Sequence, residues 1–149
     1  MAVERTLTAD AAARDATTPI ARWLPAAARV LLGLIFVVVG LNGFLNFLPQ
    51  PATLPQGAVA FMLGMVHTGY MIPLVMGTQV IAGALLLANR FVPLALAALA
   101  PVLVNIIAFH IFLQPSGLAL AVPVLLLELY LVWTYRAVYR PMLAAHVTR

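Results

Sequence analysis

The sequence predicts an all-α integral membrane protein: a four-helix bundle with a short interfacial or re-entrant helix between the first and second spans. Three observations carry the prediction. Hydrophobic residues make up 64% of the 149-residue chain and charged residues only 8%, too few charges to cover a soluble domain of this size. After Arg29 the next charge is Arg90, and after Arg90 it is Glu128. The long uncharged stretches between them have the length and apolarity of membrane spans. Finally, folding those stretches as four spans puts every arginine on one side.

The first span is expected over about Ala27–Leu48, enough at about 1.5 Å per residue to cross a hydrocarbon core of roughly 30 Å. Trp23 precedes it where an interfacial aromatic belongs. Pro49, Pro51 and Pro55, with Gln50, Gln56 and Gly57, end the helix and form a loop. Ala58–Gly69 is apolar but reaches only about 18 Å as a helix, so it reads as interfacial or re-entrant. The second span is expected over Tyr70–Ala88, with Pro73 in its first turn, where a missing N–H costs little. Only Asn89 and Arg90 separate it from the third, Phe91–Leu113, so the two must be antiparallel neighbours. Pro101 inside the third span predicts a kink and deprives the Ala97 carbonyl of its partner. Gln114–Gly117 is a polar turn. The fourth span runs over Leu118–Tyr135, with Pro123 inside it and Tyr130, Trp133, Tyr135 and Tyr139 marking its exit from the membrane. Pro141 is expected to end the helix. Residues 1–26 are read as a mobile or surface-lying tail, 27–140 as the membrane domain and 141–149 as a short tail.

Four spans place Arg5, Arg14, Arg22, Arg29, Arg90, Arg136, Arg140 and Arg149 on one side, and the uncharged Pro49–Gly69 and Gln114–Gly117 on the other. The positive-inside rule makes the arginine side cytoplasmic, with both termini on it. The net charge of +4 therefore reads as a topology signal. The arginines are not interleaved with aromatics as nucleic-acid binding would need. With no cysteine in the chain, thiolate chemistry, disulfides and Cys-ligated metal sites are excluded. The N-terminus lacks the pattern of a cleaved signal peptide, and Glu4, Asp10 and Asp15 argue against a transit peptide. No P-loop, dinucleotide fingerprint or HExxH motif is present, and no internal repeat marks an inverted-repeat transporter.

Polar residues retained inside spans are the candidate ligand-binding set: Asn42, Asn46, Gln79, Asn105, His110 and Glu128. Asn42 and Asn46, four apart, share a helix face and read first as helix–helix glue, with Gly43 beside them allowing close approach. Asn105 and His110, five apart, diverge by about 140° on an ideal helix and need not face one site. His110 reads either as an interfacial histidine bonded to the backbone or to Gln114, or as a donor to a ligand headgroup or quinone carbonyl. A haem ligand would need a second axial residue, for which His67 is the available candidate. Glu128, the one acid in any span, costs about 2.5–3.5 kcal/mol if charged at that depth. It reads as polar glue, as a proton-handling or ligand-binding carboxyl, or as a group snorkelling toward Arg136. Protonation, or bonding to Gln79, Asn105 or a water, would relieve the cost.

The residues R-V-L-L-G-L-I-F-V-V-V-G-L-N-G-F-L-N at Arg29–Asn46 resemble the start of the DoxX and DoxX-like membrane family. The resemblance continues through T-G-Y at Thr68–Tyr70, Q-V-I-A-G-A-L-L-L at Gln79–Leu87 and N-R-F-V-P-L-A-L at Asn89–Leu96. It ends with P-V-L-V-N-I-I-A-F-H-I-F-L at Pro101–Leu113 and P-S-G at Pro115–Gly117, and so covers roughly residues 27–135. It implies a four-helix bundle in a bacterial inner membrane. It also implies association with quinol oxidation, thiosulfate oxidation or oxidative-stress complexes, usually as a partner of other proteins. Where many members carry Glu in the second span this chain has Gln79, which cannot ionise, so any proton role would pass to Glu128. The functional expectation is an accessory or scaffold subunit of a membrane redox complex, without catalytic activity alone, contributing to a quinone or lipid pocket. A quinone-dependent oxidoreductase subunit, a small proton-coupled transporter and a membrane assembly factor remain alternatives. The partners expected are the lipid bilayer and other integral membrane proteins, with no nucleic acid and no metal.

Overall fold

The computed structural model describes residues 19–49 and 53–143. Residues 1–18 of the tail expected at 1–26, residues 144–149 of the tail expected at 141–149, and part of the proline-rich loop lie outside them. The described residues form helices joined by short turns: α1 Pro19–Leu45, α2 Gln56–His67, α3 Met71–Leu87, α4 Val92–Phe112, a 3-10 turn Pro115–Gly117, α5 Leu118–Thr134, α6 Arg136–Tyr139 and a closing 3-10 turn Arg140–Leu143.

Three segments are long and apolar enough to cross a membrane: Trp23–Leu45, Val92–Phe112 and Pro115–Thr134. They point to a membrane protein. The fourth expected span, α3, is a helix of 17 residues. It passes the same test only together with α2, from which it is bent by 92°. Thr68–Tyr70 makes that bend. Gly69 adopts the left-handed conformation (φ 74°), which glycine occupies without steric cost. The Thr68 hydroxyl donates to the Met65 carbonyl (2.6 Å) and accepts the Met71 N–H (3.1 Å), closing one helix and capping the next.

α1 differs from expectation at both ends. It begins at Pro19 rather than near Ala27 and stops at Leu45 rather than Leu48. The early stop has a local cause. Asn46 is left-handed (φ 49°), a conformation asparagine tolerates at helix ends. Its N–H donates to the Asn42 carbonyl (2.8 Å), while the Asn42 side-chain oxygen accepts the Leu48 N–H (2.7 Å). The pair expected to glue helices together instead terminates one.

α3 packs on α1 and α4, and α5 packs on α4 and back on α1. The α1–α3 contact is the most extensive because glycines meet across it. A Cβ at Gly33 would stand 2.9 Å from the Gly83 carbonyl oxygen, and one at Gly83 would stand 2.8 Å from that of Gly33. A Cβ at Gly40 would meet the Met76 carbonyl at 2.9 Å. Gly43 abuts the Met76 side chain, as its expected role in close approach requires. Such backbone proximity lets dispersion contacts hold helices together where lipid removes the hydrophobic drive. The core between the helices is Leu32, Phe36, Leu86, Leu96, Leu99 and Leu131, with smaller residues around them. Outward, large apolar side chains such as Leu34, Ile81, Leu94, Val104, Leu126 and Leu129 are exposed.

The α3–α4 connection is as tight as expected. Asn89 and Phe91 both take positive φ (54° and 51°), common for Asn but unusual for a bulky residue. The Asn89 side-chain oxygen accepts a hydrogen bond from the Arg29 guanidinium of α1, tying the turn to the first helix. α4 is one helix through Pro101. At the same end, the Tyr139 hydroxyl donates to the Pro93 carbonyl (2.7 Å) and anchors α6 to the start of α4.

Candidate functional site

Two adjoining cavities lie among the helices. The first, of about 380 Å³, is walled by Leu31, Ile35, Phe36 and Val39 of α1, Leu103 and Ile106 of α4, and five residues of α5 between Leu120 and Leu127. Among the described residues, Gln79 of α3 and His110 of α4 are its only polar wall residues. Of its wall residues Leu31, Val39, Leu120 and Pro123 are exposed, so it opens sideways between α1 and α5. The second cavity, of about 150 Å³, lies under α2, against Phe61, Met62 and Met65, with Val75 and Met76 of α3 and Val102, Asn105 and Phe109 of α4. Val39, Gln79, Ile106 and His110 border both.

Gln79 and His110 thus stand at the junction. Gln79 is 2% exposed. Its Nε2 donates weakly to Met76 Sδ (3.7 Å), and its Oε1 is buried with no hydrogen-bond partner. Gly40 makes room for it, since a Cβ there would approach Gln79 Cβ at 3.1 Å. His110 Nδ1 pairs with the Gln114 carbonyl oxygen (3.1 Å), which is the backbone bond expected of an interfacial histidine. The ring packs edge-on against Phe109, with centroids 5.3 Å apart, and Phe109 in turn meets Phe61 of α2 at 5.4 Å. Gly117 lies against the imidazole with no space for a side chain, so the Pro115–Gly117 turn and the histidine position each other.

The six candidates separate into three groups. Gln79, Asn105 and His110 come together around the second cavity, and the five-residue offset does not keep Asn105 from His110. Asn105 is absent from the wall of the first cavity. Asn42 and Asn46 close α1 and border neither. Glu128 is buried at 3% exposure, with Oε2 unpartnered, and lines neither cavity. The hydrogen bonds to Gln79 or Asn105 considered for it do not form, since the Gln79 amide turns to Met76. Arg136 lies over the Trp133 ring at 4.7 Å and donates to the Trp133 carbonyl, so it is engaged away from Glu128. His67 is exposed at the last turn of α2 and lines neither cavity. Among the described residues no three His, Asp or Glu side chains gather to hold a metal ion.

Sequence reasoning missed Asn89 as the partner of Arg29, Thr68 as a cap and the lateral opening at Leu120–Pro123. A two-residue connection containing Asn signals a left-handed turn, and Thr-Gly between helices signals a cap. The opening depends on helix separation, which no local pattern encodes.

No family model matches the chain, and neither a curated protein nor a solved structure matches it.

Proposed function

We propose that this chain is a DoxX-like accessory subunit of a membrane redox complex, folded as a four-helix bundle, whose lateral cavity holds a quinone- or lipid-like molecule. The cavity between α1, α4 and α5 carries the reading. It combines about 380 Å³ of apolar-walled space, a sideways mouth and two polar residues, Gln79 and His110, in its wall. Ligand sites take this form, with mostly hydrophobic walls and a few placed polar groups. An opening between helices admits a molecule dissolved in the hydrocarbon layer without passage through water. A carrier would need Glu128 on a path, and its carboxyl borders neither cavity. The family part of the proposal rests on the strings at Arg29–Asn46, Gln79–Leu87 and Pro101–Leu113.

In this reading α3, about 25 Å long, is the second of four spans, and α2 lies across the outer surface. The arginine-bearing end is cytoplasmic in a bacterial inner membrane. Purifying the full chain from its native membrane in mild detergent tests the function. Stoichiometric redox subunits and a retained lipophile, identified by mass spectrometry, are the expected result. A chain that emerges alone and free of any lipophile overturns the proposal.

A further inference from the structure

The second cavity, under α2, carries chemistry that the first does not. Of its three polar wall residues, Gln79 is buried and His110 is half-buried with Nδ1 engaged by the Gln114 carbonyl. Asn105 differs from both: it is exposed, and its side chain makes no hydrogen bond among the described residues. Asparagine carries nothing beyond Cβ except its amide, so exposure of the side chain is exposure of a donor and an acceptor. Asn105 lies about 10 Å inside the end of α4 at Phe112, too deep for so short a side chain to reach the interface. A polar group kept at that depth pairs with another group or faces a cavity. This one has the cavity.

The rest of that wall suits a flat ring. Phe61 and Phe109 stand 5.4 Å apart with their planes at 49°. Met62, Met65 and Met76 add three thioether side chains, unbranched and polarisable, which adapt to irregular gaps and pack well on aromatic rings. The volume is about 150 Å³, the size of an apolar cavity that admits one benzene ring. A fused second ring overfills it.

We infer that the second cavity is a headgroup pocket for a single six-membered ring bearing a carbonyl, a benzoquinone head rather than a naphthoquinone one. The inference rests on the reading of the first cavity as the site of a quinone- or lipid-like molecule, and adds where the ring goes and how large it can be. The Asn105 amide nitrogen donates to the ring carbonyl. The ring packs among Phe61, Phe109 and the methionines. The chain continues past Val39 and Ile106, which border both cavities, into the first.

The test uses the full chain in lipid nanodiscs and a decyl-benzoquinone photoprobe. Its diazirine sits on the chain carbon next to the ring, and mass spectrometry maps the insertion sites. Labelling is expected on Phe61, Met65 and Phe109. Unlabelled decyl-benzoquinone is expected to suppress it at about one tenth of the concentration that decyl-naphthoquinone needs, the scale on which a filled apolar pocket rejects added carbon. Asn105→Leu is expected to weaken the labelling about fivefold, the loss of one hydrogen bond, while a decylbenzene probe with the same diazirine labels variant and unaltered chain alike. Should Asn105→Leu fail to fold, the competition in the unaltered chain decides alone. Unchanged benzoquinone labelling of a folded Asn105→Leu overturns the role of the amide. Equal competition by the two heads overturns the single-ring inference, and labelling confined to the α5 wall of the first cavity overturns the headgroup pocket; each leaves the cavity reading standing. Labelling confined to the lipid-facing surface overturns both.

Discussion

Gly83→Ala is the substitution whose outcome the α1–α3 contact fixes most directly. The new Cβ would stand 2.8 Å from the Gly33 carbonyl oxygen, 2.9 Å from Val37 Cγ2 and 3.0 Å from Val37 N. Two of these three neighbours are backbone, which cannot rotate away. Restoring ordinary contact at 3.4 Å requires the helices to part by about 0.6 Å at that point. Overpacking of this kind costs about 1–3 kcal/mol, against a gain of about 1 kcal/mol from replacing glycine inside a helix. Gly77 lies on the same helix with nothing within 4 Å of its would-be Cβ, so Gly77→Ala collects the helix gain alone. The expected outcome is destabilisation of up to about 2 kcal/mol for Gly83→Ala and stabilisation of up to about 1 kcal/mol for Gly77→Ala. Unfolding by a denaturing detergent, followed by circular dichroism, measures both. Shifts of the same sign and size would refute the argument that backbone contact at Gly83 holds α1 to α3.

At the arginine end, burial first and the nearby Glu128 charge second raise the Tyr139 phenol above its usual value of 10.0. The folded state therefore favours the neutral phenol, so its contribution is full below about pH 10 and falls as pH rises through the folded value. Tyr139→Phe should remove that alkaline loss, read as phenolate absorbance and melting temperature against pH. It should also cost about 1 kcal/mol at neutral pH by freeing the Pro93 carbonyl. Glu128→Met should stabilise the chain in detergent by about 1–3 kcal/mol, because it removes a buried carboxyl oxygen that has no partner. A destabilised variant would show that the carboxyl is satisfied in the membrane. The absence of cysteine makes topology directly testable. Ser116→Cys should react with an impermeant maleimide from outside intact cells, and Arg90→Cys only after the membrane is opened. The reverse pattern would sink the proposed orientation.

The helices were legible because their signals are one-dimensional. Runs free of charge between Arg29, Arg90 and Glu128, punctuated by proline clusters, locate α4 and α5 within a few residues, but α1 only at its far end, since it starts at Pro19, eight residues before the expected Ala27. The ends were less legible. Leu45 rather than Leu48 ends α1 because Asn46 turns left-handed and Asn42 captures the Leu48 N–H, a choice made by side-chain geometry. The site was legible in part. Gln79 and His110 stood out as polar residues inside apolar runs. Their convergence depends on Gly33, Gly40 and Gly83 drawing α3 against α1, and on Gly117 leaving space for the imidazole. No periodicity carries that information.

The polar residues divide by what the backbone around them needs. Asn42 and Thr68 sit where a helix ends, and each spends its side chain on a cap or a turn, while Asn89 at the α3–α4 turn spends its own on the Arg29 guanidinium. Near such reversals the backbone has unsatisfied groups of its own, and lipid offers none in exchange. A polar side chain there is consumed locally and is a poor candidate for ligand binding. Gln79 sits eight residues inside α3, where every main-chain group is already paired within the helix. Nothing local can use its amide oxygen, and the second helix that might have supplied a donor presents Gly40 instead. An amide left over in this way, on a residue that borders both cavities, is a better candidate for ligand binding than one a cap has used. That distinction, between polar groups the helix ends consume and those the helix interior leaves spare, separates Gln79 from Asn42 and Asn46. It applies equally to His110, whose Nδ1 is consumed by the turn at Gln114 and whose Nε2 has no hydrogen-bond partner among the described residues.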